Sequence, residues 1–147
     1  MGAITYYGVA KLVFVDQKMT GVDYKNTLVS AFAELRELFG PLPFIFQQDN
    51  APIHNSCVVK EWVHAQNIEL LTWPPYSPDL NIIENVWGWL TRKVYEEGKQ
   101  YTSTEELKRG IKSAWNEISY DYLNSLYQSM ENRIFDVISK NGGHTKY

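Results

Sequence analysis

The sequence has few of the features that mark secreted, membrane-spanning or repetitive proteins. Its single cysteine, Cys57, excludes an internal disulfide and is typical of a reducing compartment, and we expect it to be a small buried residue. No apolar run approaches the roughly 18 residues that span a bilayer, so no membrane partner is expected, and the first residues lack the segments of a signal peptide. Without repeats or linkers, the 147 residues predict a single domain, residues 1–147.

Positive charge is also scarce. The chain has 14 lysines and arginines against 17 aspartates and glutamates, which gives a net charge of -3. Neutralisation of phosphates supplies most of the non-specific affinity of DNA-binding proteins. The charge balance therefore argues against tight DNA binding by this chain alone. It remains compatible with an acidic cluster that holds divalent metal at DNA.

The sequence does contain an ordered series of periodic segments. The runs Ala3–Tyr7 and Lys11–Val15 predict a hairpin with Gly8 at its turn, and Phe44–Phe46 and Ile68–Trp73 predict buried strands. Caps and apolar periodicity predict helices from Thr20 to Gly40, from Asn55 or Ser56, from Asn81 to Val94, from Ser103, and a last helix ended by Gly142. The inward residues of the last helix are expected to be Leu123, Leu126, Tyr127, Met130, Ile134 and Val137. This order indicates an α/β fold with a helical C-terminal tail.

Asp49 is a candidate site residue because of its position after an apolar strand. In open α/β sheets, ligands collect at the carboxyl ends of strands. Asn50 and Pro52 favour a turn at this point. An ordinary turn aspartate that accepts hydrogen bonds from backbone amides would show the same pattern, so both interpretations stay open.

Glu84 is a second candidate, near the start of the predicted Asn81 helix. The pattern from Asn81 to Glu84 also matches a capping box, which would give the glutamate a structural role. The apolar stripe of that helix, formed by Ile83, Trp87, Leu90 and Val94, is centred about 90° from Glu84. Glu84 is therefore expected to flank the apolar face, where a carboxylate can overlook a cleft.

Two carboxylates on different elements suit hard cations such as Mg²⁺ or Mn²⁺. Such ions clamp a phosphodiester, activate water or a 3′-hydroxyl, and stabilise the leaving oxygen. The alternative is an acid and base pair like that of glycosidases, because sequence spacing does not give the separation of the carboxylates.

Three further residues are candidate DNA contacts. His54 lies where a helix is predicted to begin, and the alternative is that it is an ordinary polar loop residue. Arg92 and Lys93 follow Glu84 on the same helix, where they are placed to meet a phosphate backbone.

Two longer motifs resemble those of mariner-superfamily transposases. Residues 46–54, FQQDNAPIH, resemble the segment that carries the family's second catalytic aspartate. Residues 73–87, WPPYSPDLNIIENVW, resemble the segment that carries its catalytic glutamate. Positions 50 to 83 leave 34 residues between Asp49 and Glu84, which is the spacing of the family branch whose third acid is glutamate. Weaker similarity near both ends extends the resemblance over nearly the whole chain.

The resemblance implies a ribonuclease-H-like fold, with a mixed five-stranded sheet and flanking helices. It implies that Asp49 and Glu84 are the second and third members of an acidic triad that uses Mg²⁺ or Mn²⁺ to cut and join DNA. The family's first aspartate lies on the first, central strand, upstream of every residue here, so we expect a fold truncated at its N-terminus with a poorly attached hairpin. By resemblance, Asp16 lies on a later, non-catalytic strand.

Three functions remain open on the sequence. The first is a DDE-type transposase region that acts at transposon ends and on target DNA in the nucleus, inactive as this fragment, with a homodimer allowed in the parent protein. The second is a non-catalytic, transposase-derived module that binds DNA or protein. The third is another metal nuclease or hydrolase of the same fold, and the long match over residues 73–87 argues against it.

Overall fold

The computed structural model describes residues 1–15, 18–40, 43–72 and 74–147. Asp16 and Trp73 lie outside this part of the chain, so the expectation for Asp16 stays a prediction. The elements in chain order are β1 Ile4–Thr5, β2 Gly8–Val9, α1 Gly21–Phe39, β3 Ile45–Phe46, α2 Cys57–Ala65, β4 Glu69–Leu70, α3 Ile83–Val94, α4 Thr104–Asn116 and α5 Tyr120–Ser139. Short 3₁₀ turns lie at Pro78–Leu80 and Glu96–Gly98. None of the described helices has both the length and the apolarity to cross a membrane.

The chain forms two compact units. The first contains Met1 and Val13–Tyr76, and the second contains Gly2–Leu12 and Ser77–Tyr147. The single domain predicted from the sequence stays a prediction.

The core of the first unit lies between α1 and α2. The Thr20 side chain accepts a hydrogen bond from the backbone of Asp23, and the Asp23 carboxylate accepts from the backbone of Thr20, which confirms the predicted capping box. Helix α1 ends at Gly40, whose φ of 69° is readily adopted by glycine. The buried residues come from one apolar face of each helix: Tyr24, Leu28, Phe32, Val59 and Val63.

Strands β3 and β4 pair in parallel, with Ile45 opposite Glu69 and Phe46 opposite Leu70. Both strands lie where the sequence predicts them, but the prediction that they are buried is wrong. Phe46 packs edge-on against Phe32, whereas Ile45 on the other face is 56% exposed and Leu70 is 38% exposed. The helices of the first unit cover one face of this sheet. Side chains alternate between the two faces along a strand, so those on the other face are exposed.

Cys57 is exposed, so its expected burial is also wrong. It is the first residue of α2, immediately after the N-cap Ser56. The inward face of that helix is taken by Val59 and Val63, and Cys57 therefore faces away from the core.

The hairpin of the second unit is shorter than predicted. Strands β1 and β2 pair antiparallel, with Ile4 opposite Val9 and Thr5 opposite Gly8. The hydroxyl of Thr5 accepts a hydrogen bond from the backbone of Tyr7 and donates to the carbonyl of Gly8. These bonds close the turn before Gly8, which belongs to the returning strand, so the strand predicted at Lys11–Val15 does not form.

Helices α3, α4 and α5 surround the core of the second unit, and the hairpin packs on this core through Ile4 and Val9. The indole nitrogen of Trp115 donates a buried hydrogen bond of 2.9 Å to the carbonyl of Ala10, and its ring stacks on Trp87. The expectation of a poorly attached hairpin is therefore wrong. That expectation rested on the missing central strand, whereas side chains of the helices hold the hairpin.

The inner face of α5 also differs from the prediction at one position. Leu123 and Leu126 are buried as expected, but Ile134 is 51% exposed. The neighbouring Arg133 is buried instead, at 1% exposure. The Nε and both terminal nitrogens of Arg133 donate hydrogen bonds. These bonds allow Arg133 to be buried although it is charged, while the side chain of Ile134 is exposed.

Candidate functional site

Asp49 lies three residues beyond the carboxyl end of β3, as the sequence predicts. Its Oδ1 accepts a hydrogen bond of 2.9 Å from the backbone nitrogen of Ala51, which gives the aspartate the turn role proposed as the alternative. The side chain is nevertheless 57% exposed. Oδ2 has no hydrogen-bond partner within the described parts of the chain. The turn therefore orients the carboxylate and leaves one oxygen available.

His54 is the second group that holds Asp49. Its Nδ1 lies 2.5 Å from Oδ1 of Asp49, and the histidine side chain is only 14% exposed. The imidazole stacks on the ring of Tyr24, with the centroids 4.1 Å apart. His54 is thus a packed neighbour of the candidate metal ligand, while its predicted contact with DNA stays a prediction.

Tyr24, a buried residue of α1, completes this cluster and was not among the predicted site residues. Its hydroxyl donates to Oε1 of Gln48 at 2.9 Å, and Gln48 lies next to Asp49 in the chain. Burial, followed by the charge of Asp49, raises the pKa of Tyr24 well above its ordinary value, so this phenol stays protonated as a donor. A tyrosine in an otherwise apolar helical stripe was the available signal, because a buried hydroxyl requires a partner.

Glu84 lies in the first turn of α3 and is exposed. The cap position is Ile82, which makes no side-chain cap, so the capping box predicted at Asn81 does not begin this helix. The buried residues of α3 are Val86, Leu90 and Val94, and this stripe is centred about 120° from Glu84 rather than 90°. No hydrogen bond or ion pair of a described residue engages the Glu84 carboxylate, which therefore faces solvent beside the helix start.

The residues on both sides of Glu84 are held by α5 and the C-terminal tail. Arg133 donates to the carbonyl of Asp79 at 2.5 Å and to Oδ1 of Asn85 at 2.9 Å. Oδ2 of Asp79 accepts a 2.8 Å hydrogen bond from the backbone of Thr145, and this bond holds the pKa of Asp79 below its ordinary value. Asp79, Asn85 and Arg133 were not among the predicted site residues, although a charged residue on the apolar side of α5 is a usable signal in the sequence.

The two cationic candidates at the end of α3 differ in their surroundings. Arg92 is exposed in the last turn. The Lys93 ammonium lies 2.8 Å from Glu96 and 3.5 Å from Glu117, which raises its pKa and keeps it charged. Lys93 is therefore engaged within the protein, whereas Arg92 presents its charge to solvent. The predicted contact of both residues with DNA stays a prediction.

The structure brings the predicted metal ligands to exposed positions but forms no complete cluster. Within residues 1–15, 18–40, 43–72 and 74–147, no three histidine, cysteine or acidic side chains meet as a metal site. The chemistry of the donors fits Mg²⁺ or Mn²⁺ nonetheless, because the available oxygen of Asp49 and the carboxylate of Glu84 are hard, exposed ligands. Magnesium typically takes one or two protein carboxylates and keeps several waters.

Comparisons with known proteins agree with these motifs. The family described as DDE superfamily endonuclease matches residues 1–108. The Tc3 transposase of Caenorhabditis elegans is 40% identical over 146 residues, which cover 99% of this chain and 44% of that protein. The Tc1 transposase of the same organism is 38% identical over 104 residues, which cover 71% of this chain and 37% of that protein. The chain thus spans less than half the length of the relatives it matches.

Solved structures show the same fold at lower sequence identity. The Mos1 transposase catalytic domain with raltegravir and Mn superposes with a TM-score of 0.85 at 19% identity, over 96% of this chain and 74% of that one. The Mos1 paired-end complex with the left transposon end gives a TM-score of 0.86 at 18% identity, over 97% of this chain and 43% of that one. These matches confirm the predicted ribonuclease-H-like fold class. The described strands nevertheless pair as two two-stranded sheets, not as the five-stranded sheet that the resemblance implies. With a family match over residues 1–108, the chain belongs to the DDE superfamily endonucleases.

Proposed function

We propose that this chain is the part of a DDE-type transposase that supplies two acidic metal ligands, Asp49 and Glu84, for DNA cleavage and strand transfer at transposon ends. The observation that supports the proposal most directly is the orientation and exposure of the Asp49 carboxylate. One carboxylate oxygen is fixed by Ala51 and His54, while the other is available at the carboxyl end of a parallel strand. A ligand must be both oriented and accessible, and this side chain is both.

The protein groups have separate tasks in this proposal. Asp49 and Glu84 would each hold Mg²⁺ or Mn²⁺, and the bound ions would activate the attacking water or 3′-hydroxyl and stabilise the leaving oxygen. His54 and Ala51 keep the Asp49 carboxylate in one orientation. Arg92 is the exposed cation that would meet a phosphate.

We propose further that the chain neither nicks nor joins DNA by itself. Two-metal phosphoryl transfer requires enough carboxylates to hold both ions, and the described residues contain no three-ligand cluster. The working protein would add a third acid, act in the nucleus on transposon-end and target DNA, and assemble as a homodimer. The net charge of this chain is -3, which does not favour tight binding to DNA by the chain alone.

Manganese binding by the isotopically labelled chain tests the ligand assignment. Substoichiometric Mn²⁺ should broaden the backbone amide resonances around Asp49 and around Glu84. Asp49→Asn should remove the first effect and Glu84→Gln the second, while Glu37→Gln, at an exposed acid near the end of α1, should change neither. If Mn²⁺ broadens neither region in the unaltered chain, the non-catalytic module becomes the better description.

Incubation with supercoiled plasmid and Mn²⁺ tests the inactivity of the chain. We expect no nicked product. Nicking that disappears in both Asp49→Asn and Glu84→Gln would show that the two acids suffice and would overturn this part of the proposal.

A further inference from the structure

A buried arginine of α5, Arg133, forms hydrogen bonds with the segment that carries Glu84. Arg133 is 1% exposed and is among the largest fully buried side chains of the described residues. Removing a guanidinium from water is costly unless its donors are satisfied, so a buried arginine without a geometric role is unfavourable. The acceptors of Arg133 therefore indicate what its burial achieves.

Two of these acceptors lie on either side of Glu84. One terminal nitrogen reaches the carbonyl of Asp79, in the 3₁₀ turn before α3, and the other reaches Oδ1 of Asn85, in the first turn of α3. The guanidinium is planar and rigid, so the two bonds fix the spacing between turn and helix start. Glu84 lies between these anchors and immediately next to one of them.

The rest of the arginine is held equally firmly. Its Nε donates to the hydroxyl of Ser129 one helical turn earlier, at 3.0 Å. Its guanidinium carbon lies 4.6 Å from the ring centroid of Tyr147, a cation–π distance. The C-terminal tail also binds the Asp79 side chain through the backbone of Thr145. Helix α5 and the tail thus hold the turn from two directions.

A second contact from α5 supports the same segment. The hydroxyl of Tyr122 donates to the carbonyl of Asn85 at 3.1 Å. Asn85 is therefore held at its side chain by Arg133 and at its backbone by Tyr122. All of these bonds end on neutral acceptors, and none engages the Glu84 carboxylate, which stays available.

From this geometry we propose that Arg133 is a positioning residue for Glu84. It fixes the turn at Asp79 and the helix start at Asn85, so that the glutamate carboxylate has one orientation for a metal ion. The inference rests on the proposed function of Glu84 as a metal ligand. Metal binding by Glu84 would then depend on a residue of the last helix, 48 positions beyond Asn85.

Arg133→Met separates positioning from bulk stability. Methionine keeps the apolar stem but leaves the acceptors on Ser129, Asp79 and Asn85 without their donor, and each buried acceptor without a partner costs about 1–3 kcal/mol. We therefore expect a lower thermal midpoint, as in any variant that loses buried contacts. The sign of positioning is that the amides of residues 80–85 lose protection selectively and exchange with deuterium about tenfold faster or more, because each lost bond involves a charged donor. Mn²⁺ broadening at Glu84 should weaken while that at Asp49 stays unchanged.

Two variants complete the test. Arg133→Lys keeps the charge but lacks the fork that reaches both acceptors, so it should resemble the methionine variant in local exchange. Ile118→Ala removes a buried side chain of the same unit and should lower the thermal midpoint without selective loss of protection at residues 80–85. Unchanged exchange at residues 80–85 in both Arg133 variants would overturn the positioning role. Absence of Mn²⁺ broadening at Glu84 in the unaltered chain would instead overturn the proposed function, and amide exchange would still decide the role of Arg133.

Discussion

Replacement of Trp115 by phenylalanine tests how the N-terminal hairpin is held. Phenylalanine keeps most of the buried ring but cannot donate the 2.9 Å hydrogen bond to the carbonyl of Ala10. A buried acceptor without its partner costs about 1–3 kcal/mol. For a chain of this size each kcal/mol lowers the thermal midpoint by about 2–4 °C, so Trp115→Phe should lower it by about 2–12 °C.

Thermal unfolding followed by circular dichroism gives the midpoint, and deuterium exchange gives its location in the structure. The amide of Ala10, which donates to Ala3, should lose protection in Trp115→Phe before the amides of the helices do. The matched control is Trp89→Phe, because Trp89 packs against the same core without a side-chain hydrogen bond to any described residue. If the two variants have equal midpoints and equal exchange at Ala10, the hairpin is not held by the indole and the reasoning fails.

Three other outcomes follow from the structure. Because the pKa of Asp79 is lowered in the fold, its contribution to stability should be complete above its unfolded pKa and lost as pH falls through the lower folded pKa; urea unfolding from pH 7 to pH 2 should show a smaller acid-induced loss in Asp79→Asn. Gly21→Ala should destabilise α1 although alanine favours helices, because the added Cβ would lie 2.3 Å from the Ser56 hydroxyl; Ser56→Gly in the same chain should recover part of the lost midpoint. Binding of the isolated chain to a fluorescent duplex should be weak, independent of sequence and abolished by moderate salt, and tight binding to one sequence at physiological salt would contradict this.

The helices are the part of the fold that the sequence predicts best, because their signals are local. The capping box at Thr20 and the cap at Ser103 lie within four residues of the helix starts that they set. The apolar periods of α1, α2 and α4 likewise identify their buried faces correctly. Such signals require no knowledge of which element packs against which.

The strands are less predictable because their burial depends on distant partners. Phe46 and Ile45 are both apolar, yet one faces the helices and the other faces solvent in a two-stranded sheet. The hairpin register depends on a single side chain, the Thr5 hydroxyl, which closes the turn earlier than the apolar pattern suggests. The alternation of apolar residues along a strand predicts neither which face is buried nor where the turn closes.

The candidate site shows the same division. The positions of Asp49 at a strand end and of Glu84 at a helix start follow from local patterns and agree with the structure. Their supporting groups do not follow from local patterns. Tyr24 reaches Gln48 across 24 positions and Arg133 reaches Asp79 across 54, so both contacts exist only after the chain has folded.

The hydrogen bond between Trp115 and Ala10 joins positions 105 apart in the chain, and this separation has a consequence for biosynthesis. A ribosome adds about 5–20 residues per second, so Ala10 waits roughly 5–20 s for the indole that will cover it. During that interval the nascent hairpin has strand edges without neighbours and apolar side chains without a core, which is the state most open to aggregation or to capture by a chaperone. Translation speed through the segment before Trp115 should therefore influence the yield of soluble protein more than speed after it.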